Sequence, residues 1–118
     1  MPTVRNLIFL STIGVSAVIT TPLSAASLSK EQISREIIGK TLSGKRMGMR
    51  VRITYQLDGA VTIKSPITSG AGTWSYSEAG ICMDMESGPR LGKSCLTFEH
   101  LGGSKYRNSE GMTLTVQN

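Results

Sequence analysis

Apolar and polar residues alternate with a period of two through the middle of the chain. Val51, Ile53, Tyr55 and Leu57 interleave with Arg50, Arg52, Thr54 and Gln56, which predicts a strand with one face on a core and the other in water. Asp58-Gly59 then signals a turn, and the same pattern selects its kind. A two-residue hairpin would set Ile53 against Lys64 and Tyr55 against Thr62, mixing the faces. A three-residue loop with Gly59 left-handed in a G1 bulge instead sets Tyr55 against Val61 and Ile53 against Ile63. Further short strands are predicted at 73–77, 81–86, 94–99, 105–108 and 112–117, punctuated by Glu78-Ala79, Gly88-Pro89, Gly102-Gly103 and Ser109-Glu110-Gly111.

Helical spacing occurs once, ahead of the strands. Ser29 is an N-cap with Gln32 at the reciprocal capping-box position, and Leu28 and Ile33 are placed for a hydrophobic staple. Ile33, Ile37 and Ile38 share one face and Gly39 is a stop. A helix of about two and a half turns is too short to persist alone and must dock, over a mouth or an edge of the sheet. The predicted fold is mainly β: this helix, then a six- to seven-stranded antiparallel meander forming a small or partly open barrel. Its expected core is Ile33, Ile37, Val51, Ile53, Tyr55, Val61, Ile63, Trp74, Ile81, Met83, Leu96 and Phe98.

Cys82 and Cys95 flank Gly88-Pro89. A turn centred there pairs Cys82 with Cys95, Asp84 with Lys93 and Ile81 with Leu96, so one register yields a disulfide, an opposite-charge pair and an apolar pair. The bridge is expected on the face opposite Ile81 and Leu96. The short loop it closes makes its contribution about 3 kcal/mol.

The first 26 residues read as an export signal: Arg5 in a short leading segment, an uncharged apolar run over 7–19, then small residues ending in Ser24-Ala25-Ala26. The apolar run falls short of the about 20 residues a membrane span needs. Cleavage near Ala25 or Ala26 would leave 27–118 as a single β-barrel-like domain, periplasmic or secreted, where a disulfide is at home. The chain carries thirteen Lys and Arg against eight Asp and Glu; without Arg5 the balance is +4. A basic exported domain meets anionic polysaccharide, lipid headgroups or acidic proteins rather than nucleic acid.

Candidate chemistry is sparse. His100 is the single histidine, no nucleophile–base motif is present, and the carboxylates are scattered. No enzyme and no cofactor are expected. Lys45, Arg46, Arg50 and Arg52 form a basic stretch, either an anion-binding surface or a solvated face. Met47-Gly48-Met49 and Met83-Asp84-Met85 each place two thioethers on one face of a strand. Soft thioethers suit Cu(I), so Met83 and Met85, with Trp74 and His100, are an alternative metal set. The competing reading is that Met83 and Met85 continue the core face of Ile81, with Trp74 packed across on Met83.

Ser69-Gly70-Ala71-Gly72-Thr73-Trp74 resembles the Ser-Gly loop of exported bacterial inhibitors of animal-type lysozyme, which are also small disulfide-bearing β-barrels. That likeness implies an inhibitor of a lysozyme-type hydrolase acting on a host or envelope protein. Most of the chain after the leader resembles a family of small exported alphaproteobacterial domains of unknown function. The resemblance is carried in order by Leu28 to Ile33, Gly39-Lys40-Thr41-Leu42-Ser43-Gly44, Tyr55 with Asp58-Gly59, Gly72-Thr73-Trp74, Gly80-Ile81-Cys82, Cys95 and Tyr106 before Glu110-Gly111. It implies a leader, one disulfide and a β-rich fold, and brings no activity. The expected protein is an exported, non-enzymatic binding module, with an anionic cell-envelope polymer or lipid as first ligand class.

Overall fold

A computed structural model describes residues 26–117. The expected export signal up to Ala25 lies outside the described residues. Among the described residues one helix, α1 (Lys30–Glu36), precedes nine strands: β1 (Thr41–Arg46), β2 (Met49–Tyr55), β3 (Ala60–Lys64), β4 (Ser69–Tyr76), β5 (Ile81–Met85), β6 (Gly92–Leu96), β7 (Phe98–Gly102), β8 (Lys105–Asn108) and β9 (Thr113–Gln117). They form one antiparallel sheet in the order β6-β5-β4-β3-β2-β1-β9-β8-β7, curled into a half-barrel.

Nine strands replace the six or seven expected, for two reasons. The alternation in β1 is erased at Gly44, which faces Leu114 of β9; a Cβ there would lie 2.8 Å from the Thr113 carbonyl. The strand therefore shows one inward apolar residue, Leu42, and no readable period. The run 94–99 is two strands, not one. Leu96 pairs with Ile81 of β5, whereas Phe98 pairs with Asn108 of β8, and Thr97 is the corner between them. Ser109 caps that corner: its hydroxyl accepts from the Thr97 N–H at 3.0 Å, and its own N–H donates to the Thr97 carbonyl at 2.9 Å.

Both derived hairpins hold. Ile53 pairs with Ile63 and Tyr55 with Val61. The loop Leu57-Asp58-Gly59 turns with Gly59 at φ 96° and the Asp58 carboxylate accepting from the Ala60 N–H. In the second hairpin Cys82 faces Cys95, Asp84 faces Lys93 and Ile81 faces Leu96. The disulfide is formed across it, with Cα atoms 3.9 Å apart, on the face away from the buried Ile81 and Leu96.

Helix α1 has both hydrogen bonds of the capping box, Ser29 with Gln32. At seven residues it is about two turns, slightly shorter than expected. Gly39 (φ 81°) follows and donates its N–H to the Tyr55 carbonyl at 2.7 Å, tying the connection to the end of β2. Leu28, Ile33, Ile37 and Ile38 enter the core. The Tyr106 hydroxyl donates to Glu36 at 2.7 Å, and the Lys30 ammonium stands 5.0 Å above the Tyr76 ring. The helix thus closes the end of the half-barrel where β2 and β4 finish. Just before it, Ser27 bridges Glu99 and the Leu28 N–H reaches the Phe98 carbonyl, so the exposed edge of β7 is partly covered.

Ten of the twelve expected core positions are buried; Ile63 and Trp74 are only partly so. Trp74 is held at the boundary because its indole N–H donates to the Gln56 carbonyl at 2.7 Å. Leu57, read as a fourth inward residue of its strand, is 83% exposed, because β2 ends at Tyr55. Leu42, Met85, Tyr106 and Leu114 complete the core.

Ile53→Ala should lower unfolding free energy by about 2–5 kcal/mol in denaturant titration; a loss below about 1 kcal/mol would place Ile53 on a solvated face. Cys82→Ala/Cys95→Ala should cost about 3 kcal/mol with an unchanged circular dichroism spectrum, since the hairpin register is held independently by its apolar face.

Candidate functional site

The outer face of β1, β2 and β3 gathers cations. Lys45 lies directly across from Arg50, and Arg52 lies directly across from Lys64. Like charges facing one another across a sheet are destabilising, so neither pair helps the fold. Among the described residues none of the four takes part in an ion pair. Arg50 borders two depressions. One, about 550 Å³, is lined by Lys45, Ser43, Thr113, Thr115 and Gln117; the other, about 260 Å³, is lined by Arg52, Lys64, Ser65 and Pro66. A cationic band flanked by hydroxyl and amide groups therefore runs over three strands.

Arg46 does not belong to that band. The period of two puts it on the inner face, opposite Met49, and its guanidinium approaches Glu110 at 3.6 Å. Arg90 meets the same carboxylate with two hydrogen bonds of 3.1 Å. The basic stretch read from the sequence is thus divided by the sheet: Lys45, Arg50 and Arg52 outside, Arg46 inside. Lys64 was missed although the derived Ile53–Ile63 pairing already sets it against Arg52. Arg90 and Glu110 carried no sequence signal, because they come from two separate turns.

Met83 and Met85 are both buried in the core cluster, with Trp74 directly across from Met83. His100 lies elsewhere, on β7, stacked on Tyr106 at 4.7 Å and hydrogen-bonded to the Gly103 carbonyl. The structure does not bring the two methionines and the histidine together. Ser69 to Trp74, read as a loop motif, lies within β4 and is paired on both sides, to β3 and β5. A Cβ at Gly72 would collide with the Asp84 carbonyl, so this glycine serves close strand approach.

Two tyrosines are perturbed. Tyr55 is fully buried and its hydroxyl has no hydrogen-bond partner among the described residues; burial, with the Glu110 charge adding, raises its pKa well above the usual tyrosine range. Burial, the hydrogen bond to Glu36 and its charge push Tyr106 up to about 12. No protein-family model, curated protein or solved structure matches the chain.

The tyrosine shifts set a direction for alkaline stability. A phenol whose folded pKa exceeds its unfolded value of about 10 stabilises fully below that value and loses its contribution as pH rises. For Tyr106 the window runs from about 10 to about 12. Urea midpoints should fall across it, and Tyr106→Phe should flatten the fall. An equal fall in that variant would contradict the Tyr106–Glu36 linkage.

Proposed function

We propose that the protein is an exported, non-enzymatic binding module whose outer cationic band takes an anionic polymer of the cell envelope. The disulfide is consistent with an exported protein. One observation carries the reading of the band: Lys45, Arg50, Arg52 and Lys64 face one another in like-charged pairs with no ion pair among the described residues. A sheet under selection for stability alone gains from alternating signs at these positions, and each exposed pair would contribute only a few tenths of a kcal/mol to about 1 kcal/mol. A band of one sign is useful for attracting an opposite charge.

The chemistry of the flanks favours a sugar polymer over a bilayer. Thr113, Thr115 and Gln117 lie beside the cations on β9, where hydroxyl and amide groups can bond sugar hydroxyls. A lipid surface would instead be met by apolar side chains among the cations, and these outer positions of β2 carry Arg50, Arg52 and Thr54.

Arg50→Ala/Arg52→Ala should weaken binding to a uronic-acid polysaccharide about tenfold or more while shifting the denaturation midpoint little. Wild-type affinity should fall as salt rises, and a neutral dextran should not bind. The measurement is biolayer interferometry with both polymers at two ionic strengths. Binding that ignores both salt and the mutations, or no binding at all, would reduce the band to a solvated face.

A further inference from the structure

The helix closes one end of the half-barrel; the other end, around the β1–β2 turn, is open. There a cavity of about 460 Å³ is lined by Met47, Met49, Ile63, Ile67 and Pro89, with Arg46 and Arg90 in its wall. That volume is within the range of about 300–1,000 Å³ occupied by small-molecule sites. An inner void of about 60 Å³ adjoins it, shares Arg46, Val51, Ile63 and Arg90, and reaches Tyr55, whose hydroxyl has no partner among the described residues. Two guanidiniums against the one carboxylate of Glu110 leave a net positive charge where the apolar wall begins.

Of the two turns bordering this cavity, the one between β1 and β2 is built against the ordinary rules for turns. Met47-Gly48 has φ values of 52° and 79°, so both central residues of a two-residue hairpin are left-handed. Asn or Gly is the ordinary choice at the first position, and a left-handed Met is strained. Met47 is nonetheless there, 91% exposed. The β3–β4 turn presents Ile67, 74% exposed, and is fixed by three hydrogen bonds between Ser65 and Thr68. Neither side chain is needed by the core, and both line the cavity. Backbone strain retained to hold an exposed apolar side chain at a cavity mouth points to a use for that side chain.

We propose that this open end binds one single-chain amphipathic anion, of which a fatty-acid carboxylate is the simplest. The chain lies along Met47, Met49 and Ile67. The carboxylate meets Arg46 and Arg90, whose planar donor forks suit it and are only partly used by Glu110. Flexible methionine side chains adapt to an alkyl chain without a fixed shape. The site is on the inner face and does not depend on the outer band.

Isothermal titration with dodecanoate, below its micelle concentration, tests the proposal on the purified protein. Saturable 1:1 binding is expected, strengthening up to about fourfold per methylene from octanoate upward, the factor that burial of one methylene supplies. Met47→Asn should weaken dodecanoate at least fivefold while its melting temperature stays level or rises, because strain is removed with the contact. Arg46→Gln/Arg90→Gln should weaken dodecanoate at least tenfold and leave weak binding of an uncharged dodecyl glycoside unchanged. Absence of saturable binding overturns the proposal, as does affinity that is indifferent to chain length and to both variants. Self-association in sedimentation that Met47→Asn abolishes, without dodecanoate binding, would instead make the open end a contact between copies and would equally overturn it.

Discussion

The half-barrel follows from one short piece of chain. β6 and β7 are the two outermost strands of a nine-stranded sheet, yet only Thr97 separates them. Laid flat, the sheet would hold its edges about 38 Å apart at about 4.8 Å per strand spacing. The chain from Leu96 to Phe98 can span at most about 7 Å. The sheet must therefore curl until its edges meet at that corner. The corner is tight: a Cβ on Gly80 would collide with the Leu96 carbonyl, so only glycine admits the approach. Ser109 satisfies both backbone groups of Thr97, leaving no orphaned polar pair where the two edges converge.

Curling separates the two faces chemically. The inner face carries the core, sealed at one end by α1 and open at the other, where Arg46, Arg90 and Glu110 sit. The outer face of β1 to β3 carries Lys45, Arg50, Arg52 and Lys64. Because side chains alternate strictly along a strand, adjacent residues such as Lys45 and Arg46 are assigned to surfaces that never meet. A single basic run in the sequence thus becomes a cationic band outside and one half of a guanidinium pair inside.

Much of the fold was legible because local signals agreed with one another. The Asp58-Gly59 turn, the Ile53–Ile63 register and the Cys82–Cys95 hairpin each followed from keeping like with like across two strands. The capping box of Ser29 and Gln32 needed no tertiary information. What was not legible came from long-range contacts. β1 was hidden because Gly44 vacates its inward position for β9. The split at Thr97 was hidden because Leu96 and Phe98 keep one apolar period while changing partners. The Arg46–Glu110–Arg90 group joins a strand end to two turns, and no spacing encodes it. Met47 was read by type, as a thioether, when its conformation was the informative property.

On the proposed polymer and amphiphile sites, the two faces of one curled sheet are two independent anion-binding surfaces. Backbone amide chemical shifts of the ¹⁵N-labelled protein test that independence most directly, with a uronic-acid oligosaccharide and dodecanoate added separately and then together. The oligosaccharide should perturb Lys45, Arg50, Arg52 and Lys64, dodecanoate should perturb Met47, Met49, Ile63 and Ile67, and the combined spectrum should carry both sets of shifts. Perturbations that fall on one shared set of residues, or one ligand displacing the other, would contradict it.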